Sequence, residues 1–260
     1  MPTLAGTRKV PILGRAAFSP LDIAGIQLWL KADAGLWQDA AMTTPAVADT
    51  DPVGGWADQS GNANHATQAT AGNRPLLKLA IQNGRPVVRF DGTDDWLGLP
   101  NAAMPVQNHT VFAVVNATSN AGSKIIIARS YNYGAFYLCV LANNHPTGPR
   151  KLRLAVNDGL LTGTANADGT PALVVGRYDS ANNKIFVNGA DEQTAANAAG
   201  AINYNANDGA TVGVLYDSNL SLFAAYMSGD VAELLLYNSA LSTANRQAVE
   251  AYLNSRWAVY

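Results

Sequence analysis

An all-β sandwich of two antiparallel sheets, with one C-terminal helix and an extended N-terminal arm, is the architecture these 260 residues predict. Three observations carry it. Short runs of alternating apolar and polar residues recur from residue 85 onward, the period of a strand with one buried face. Turn signals separate them: Asn157-Asp158-Gly159, Asp168-Gly169, Asn188-Gly189 and Asn207-Asp208-Gly209. Only the C-terminus combines helical spacing with a cap. Short strands punctuated this regularly predict a sandwich or jelly roll.

Composition narrows the reading. The chain is long enough to bury a substantial core, and it is 48% hydrophobic, only 14% charged and rich in glycine, as suits sheets joined by uncharged polar loops. A net charge of -2 gives no general attraction for nucleic acid. The single cysteine, Cys139, cannot form an internal disulfide and sits in the apolar run Phe136–Leu141, where a thiol is an inert core residue. Arg8 and Lys9 precede no apolar run of signal-peptide length, and no segment is long enough to span a membrane. The expectation is a protein made in the cytoplasm without a signal peptide and without membrane insertion.

Element by element, residues 1–20 read as an arm and 21–260 as one domain. Pro2, Pro11 and Pro20 interrupt regular structure in the arm. Arg8 and Lys9, with the apolar Ile12, Leu13 and Phe18, make it a candidate for docking on a partner. Ile26–Lys31 alternates and is the first strand. Residues 32–84 show little periodicity, so they carry short strands or function, with Trp37 and Trp56 as anchors. Next, Gly84–Leu97 reads as two short strands around an acidic corner at Asp91, Asp94 and Asp95.

Further strands are expected near Thr110–Val115, Lys124–Ala128, Phe136–Leu141, Lys151–Val156, Ala172–Tyr178, Lys184–Val187, Thr211–Leu215 and Asp230–Tyr237. Ser242 is the cap of the last element, whose stripe of Ala248, Val249, Tyr252, Leu253 and Trp257 packs on the sandwich.

Five ordered segments together resemble one superfamily. They are Ile26–Leu30 with Trp56–Ala66, Val88–Trp96, Gly176–Asp179, Lys184–Gly189, and Gly229–Ser242. The chain resembles the concanavalin A-like, laminin-G-like jelly-roll superfamily over about residues 21–257. The resemblance is specific for fold and open for function, because the superfamily includes lectins, adhesion modules, glycan hydrolases and structural domains. Similar stand-alone chains with a short arm and no export signal occur among phage and prophage particle proteins. That implies a virion surface role in capsid decoration or a tail appendage.

Hydrolysis on this fold would need two carboxylates on a concave sheet, about 5–5.5 Å or 6.5–9.5 Å apart. The Glu/Asp alternation of the superfamily's hydrolases is absent. Asp230 and Glu233, three residues apart, are expected on opposite faces. The three histidines are scattered, which leaves zinc without support, and no nucleophile elbow or phosphate-cradling loop occurs.

No cofactor is required by this reading. The resemblance does imply a calcium candidate, with Asp58, Asn62 and Asn64 offering loop oxygens and Asp230 completing the site from the last strand. The favoured alternative is an Asx-rich turn satisfying its own backbone. For a glycan, the candidates are Tyr131 and Tyr133 with Asn143 and His145, while Trp29, Trp96 and Trp257 are assigned to structure.

The expected function is therefore non-catalytic. The leading reading is a virion or particle-surface protein of phage type, assembled as a homo-oligomer or onto a shell through its arm, with glycans as candidate ligands. A free carbohydrate-binding lectin is the alternative, and a glycoside hydrolase is the third.

Overall fold

The computed structural model describes residues 17–118, 123–129, 136–140, 151–157, 159–166, 169–204, 207–217 and 222–260. Its first strands are β1 (Ile26–Lys31), β2 (Leu36–Trp37), β3 (Gly55–Trp56), β4 (Ala66–Thr67), β5 (Leu76–Gln82), β6 (Arg85–Asp91) and β7 (Leu97–Leu99). There follow β8 (His109–Ala117), β9 (Lys124–Arg129), β10 (Phe136–Val140), β11 (Lys151–Val156), β12 (Gly159–Asn166) and β13 (Ala172–Tyr178). The last are β14 (Asn182–Val187), β15 (Ala190–Ala196), β16 (Ala210–Val212), β17 (Leu215–Asp217), β18 (Leu222–Ala224) and β19 (Ser228–Tyr237), before helix α1 (Thr243–Trp257).

Two large antiparallel sheets result. One runs β15-β14-β13-β8-β19-β6-β5, with β1 also paired to β19. The other runs β12-β11-β10-β9-β16-β7-β4-β3-β2. Strand β19 is long enough to serve two neighbours on one edge: Ser228–Val231 pairs with β6, and Glu233–Tyr237 pairs with β1. At Gly229 the chain passes so close to β8 that a Cβ would collide with the Asn116 carbonyl, and φ is 131°. Only glycine fits there.

The core lies between the inner faces, where Leu28, Leu30, Phe90, Val111, Leu234 and Leu236 meet Ile126, Phe136, Leu138, Leu154 and Val212. The outer face of the first sheet is a second apolar layer. Trp29, Phe112, Val175 and Leu235 lie under Val249, Leu253 and Trp257 of α1. Ser242 caps that helix as expected, its hydroxyl accepting from Asn245 N.

Several expectations are corrected. The strand expected over Thr211–Leu215 is two strands, β16 and β17. Gly213 turns the chain at φ 89°, where a Cβ would lie 2.5 Å from the Phe90 ring. Asp230 and Glu233 do not face opposite sides. A β-bulge between Val231 and Glu233 breaks the alternation, and both side chains reach the face that α1 covers.

Phe18, expected in the docking arm, packs on the domain, its ring meeting Tyr252 of α1 edge-on at 6.3 Å. Pro20 is also tied into the domain, its carbonyl accepting from Tyr237 Oη at 2.9 Å. Arg8, Lys9, Ile12 and Leu13 lie outside the described residues.

Candidate functional site

The Asp58 turn is assembled, but its ligand atoms are engaged. Asp58 Oδ1 accepts from the backbone N–H of Trp29 and of Ser60, both at 2.9 Å. Its Oδ2 accepts from Ser60 Oγ at 2.7 Å and Asn64 N at 3.0 Å. Asn62 and Asn64 turn their amide nitrogens onto the carbonyls of Ile26 and Gln27, each at 2.8 Å. The segment clamps β1 from outside, as an Asx-rich turn does. Asp230 does not join it. Its carboxylate is held instead by Arg89 of β6 through paired bonds of 2.6 and 2.8 Å.

Tyr131, Tyr133, Asn143 and His145 lie outside the described residues. Among the described residues two groups of half-buried aromatic side chains gather at the surface: Phe18 with Tyr252 beside α1, and the larger group of Trp96, Phe223 and Tyr216. Tyr216 and Phe223 face each other across the β17–β18 hairpin, their centroids 4.8 Å apart at 40°. Phe223 lies 4.8 Å from Trp96 at 32°. All three are half-buried.

Rings tilted and offset in this way overlap only in part, so each leaves edge and some face open. Local sequence explains the placement. Alternation sends Leu97 and Leu99 inward and Trp96 outward, while Gly98, without a side chain, leaves room for the indole. Leu215 anchors the hairpin against Ile125, Tyr137 and Cys139. Trp96 thus differs from Trp29 and Trp257, which are buried and both donate to Glu233.

The acidic corner immediately precedes Trp96 in the chain. Carboxylate oxygens of Asp91, Asp94 and Asp95 lie within 4.8 Å of one another. Asp91 Oδ1 accepts from Thr93 N at 2.8 Å and Asp94 N at 3.3 Å, and Asp95 Oδ2 accepts from Asp91 N at 2.9 Å. Gly92, at φ 82°, lets this turn approach Ser228 of β19. Burial pushes the Asp95 carboxyl up to about 6, and the charges of Asp91 and Asp94 add to the shift. Asp94 also acts on Tyr226, three residues after Phe223, raising its phenol together with burial.

Distance alone would suit a retaining glycosidase pair. The arrangement does not, because Asp91 and Asp95 face the backbone of their own turn and do not flank an open groove from two sides. Cys139 is buried, its thiol pushed up to about 12 by desolvation, which keeps it from acting as a nucleophile.

Of the three rings, only Trp96 belongs to a segment that is conspicuous in the sequence. The hairpin's signal is weak, the short runs Leu215-Tyr216 and Leu222-Phe223-Ala224 having no alternation beyond three residues. Its pairing exists only in three dimensions.

Comparison with known proteins places these features in a family. The model of the concanavalin A-like lectin/glucanases superfamily matches residues 91–245. Among solved structures, domain 4 of AbnA, a GH43 extracellular arabinanase from Geobacillus stearothermophilus, is 14% identical with a TM-score of 0.57. That match covers 85% of this chain and 96% of that one. The binding domain of Paraclostridial Mosquitocidal Protein 1 is 11% identical, TM-score 0.61, covering 92% and 53%. Botulinum neurotoxin type C is 13% identical, TM-score 0.55, covering 88% and 51%.

The chain therefore spans about half the length of the toxin chains, and at these identities the likeness is one of fold. No curated protein sequence matches. No helix among the described residues is long and apolar enough to cross a membrane. Matched over more than half its length and built as two stacked antiparallel sheets, the chain belongs to the concanavalin A-like lectin/glucanase superfamily.

Proposed function

We propose that this protein is a non-catalytic glycan-binding module. The observation that carries the reading is the row of half-buried rings, Trp96, Phe223 and Tyr216, with carboxylates in the turn that leads into Trp96. Sugars present apolar C–H patches and hydroxyl donors together. Aromatic edges and faces suit the first, and the aspartate oxygens accept from the second. Two structural neighbours support the reading. The AbnA domain was solved in complex with arabinotriose, and cell entry of the type C neurotoxin depends on interaction with two ganglioside molecules.

A glycan array read with the wild-type chain, Trp96→Ala and Phe223→Ala tests the site. Loss of one ring is expected to weaken binding about tenfold, at about 1.4 kcal/mol. Undiminished binding by both variants would move the site elsewhere. Release of reducing sugar from a bound polysaccharide would replace binding by hydrolysis.

We also propose that residues 1–16 attach this module to a virion or another protein assembly as a homo-oligomer. The support is their composition, basic and interrupted by proline, and the tethering of Phe18 and Pro20 to the domain just after them. Deleting 1–16 should leave the melting temperature unchanged and abolish co-sedimentation with particles. Retained co-sedimentation would remove the arm from that role.

A further inference from the structure

We propose that the Trp96–Phe223–Tyr216 row and the acidic corner that leads into it select glycans carrying protonated amino sugars over sialylated or uronate-bearing ones. The inference rests on the glycan-binding reading above and adds the charge of the ligand.

Two independent features of the site have the same electrostatic sign. Aromatic faces carry the negative part of the ring quadrupole and attract cations, ammonium groups included. Three carboxylates converge within 4.8 Å of one another in the turn that leads directly into Trp96. The charges that act on Asp95 are those of Asp91 and Asp94, both negative. Tyr226, close along the chain to Phe223, is likewise under the charge of Asp94.

Arg89, two residues before Asp91 on β6, is committed to Asp230 through both its Nε and one terminal nitrogen. It is not available to neutralise the corner. A carboxylate-bearing sugar placed on these rings would meet the like charge of the corner, whereas a glucosamine ammonium would meet complementary charge and a π surface. Chemistry of this sign separates the site from one built to take a sialylated ligand.

The test titrates the full-length chain at pH 6 with a glucosamine oligomer, its fully N-acetylated counterpart and sialyllactose, at low and high salt. The glucosamine oligomer is expected to bind at least about tenfold more tightly than sialyllactose, with the advantage shrinking in salt. Asp94→Asn, which removes one negative charge and keeps the size of the side chain, should cut that ratio severalfold by weakening the glucosamine oligomer more than sialyllactose. Sialyllactose binding as tight as the glucosamine oligomer and lost in Trp96→Ala would overturn the charge inference while the ring site stands. Binding of none of the three would overturn both.

Discussion

Trp257, the last residue of α1, donates its indole N–H to Glu233 Oε2 at 2.6 Å, although 24 residues separate the two. Trp29 Nε1 reaches the other oxygen of the same carboxylate, also at 2.6 Å. Arg256 Nε adds a contact at 3.3 Å and bonds through its other arm to Asp33, which Arg85 also holds. One fully buried carboxylate therefore joins β1, β19 and α1. Burial raises its pKa, while the two indoles and Arg256 work in the opposite direction.

Removing that carboxylate should release the end of the helix. Glu233→Ala strands two buried indole donors and takes one acidic partner from Arg256, so a loss of about 3–5 kcal/mol is expected. Trp257→Phe, which keeps most of the packing and deletes one donor, should cost roughly 1–2 kcal/mol. Urea unfolding with α1 monitored by hydrogen exchange checks both. Equal stability of the wild type and Glu233→Ala would show that the carboxylate ties nothing.

Acid should destabilise the fold through His109. Its imidazole is fully buried between Phe136 and Tyr178, and desolvation pushes its pKa down from 6.5 to about 4. The folded state therefore binds fewer protons than the unfolded state between those values, and stability falls as pH drops through that window, by roughly 3 kcal/mol in all. Asp95 acts in the opposite sense. With its folded pKa raised from 3.8 to about 6, it favours the folded state at low pH and loses that contribution as pH rises through 6. Asp95→Asn should raise the melting temperature at pH 7.5 and steepen the acid limb, and His109→Leu should flatten it. Melts from pH 4 to 8 read both slopes.

Asp58 should matter to stability with or without divalent ions. Its four accepted hydrogen bonds hold the turn against β1, so Asp58→Ala is expected to cost about 2–4 kcal/mol. Chelator should leave the wild-type melting temperature where it is. A chelator-induced drop matching that of Asp58→Ala would restore calcium to this turn.

Strands with strong alternation or β-branched runs are legible in the sequence. Ala172–Tyr178 lies where the residues place it, and Ile26–Lys31 and the Ser242-capped helix follow suit. Among the strands that carry no such signal are both edges of the first sheet. Strand β15 (Ala190–Ala196) is small and polar because it buries little, and β5 (Leu76–Gln82) leaves Leu76, Leu79 and Ile81 exposed. With Leu77 the single buried side chain between them, neither shows the period-two signature.

What the residues alone determined is the layer architecture, since burial of alternate side chains is written locally in each strand and turn. What only the assembled fold decided is the chemistry of its surfaces. A bulge in β19 brought Asp230 and Glu233 to one face, and a hairpin carried Phe223 to within 4.8 Å of Trp96, a residue from a distant part of the chain. Such contacts depend on sheet register and strand order, which no short window of sequence encodes.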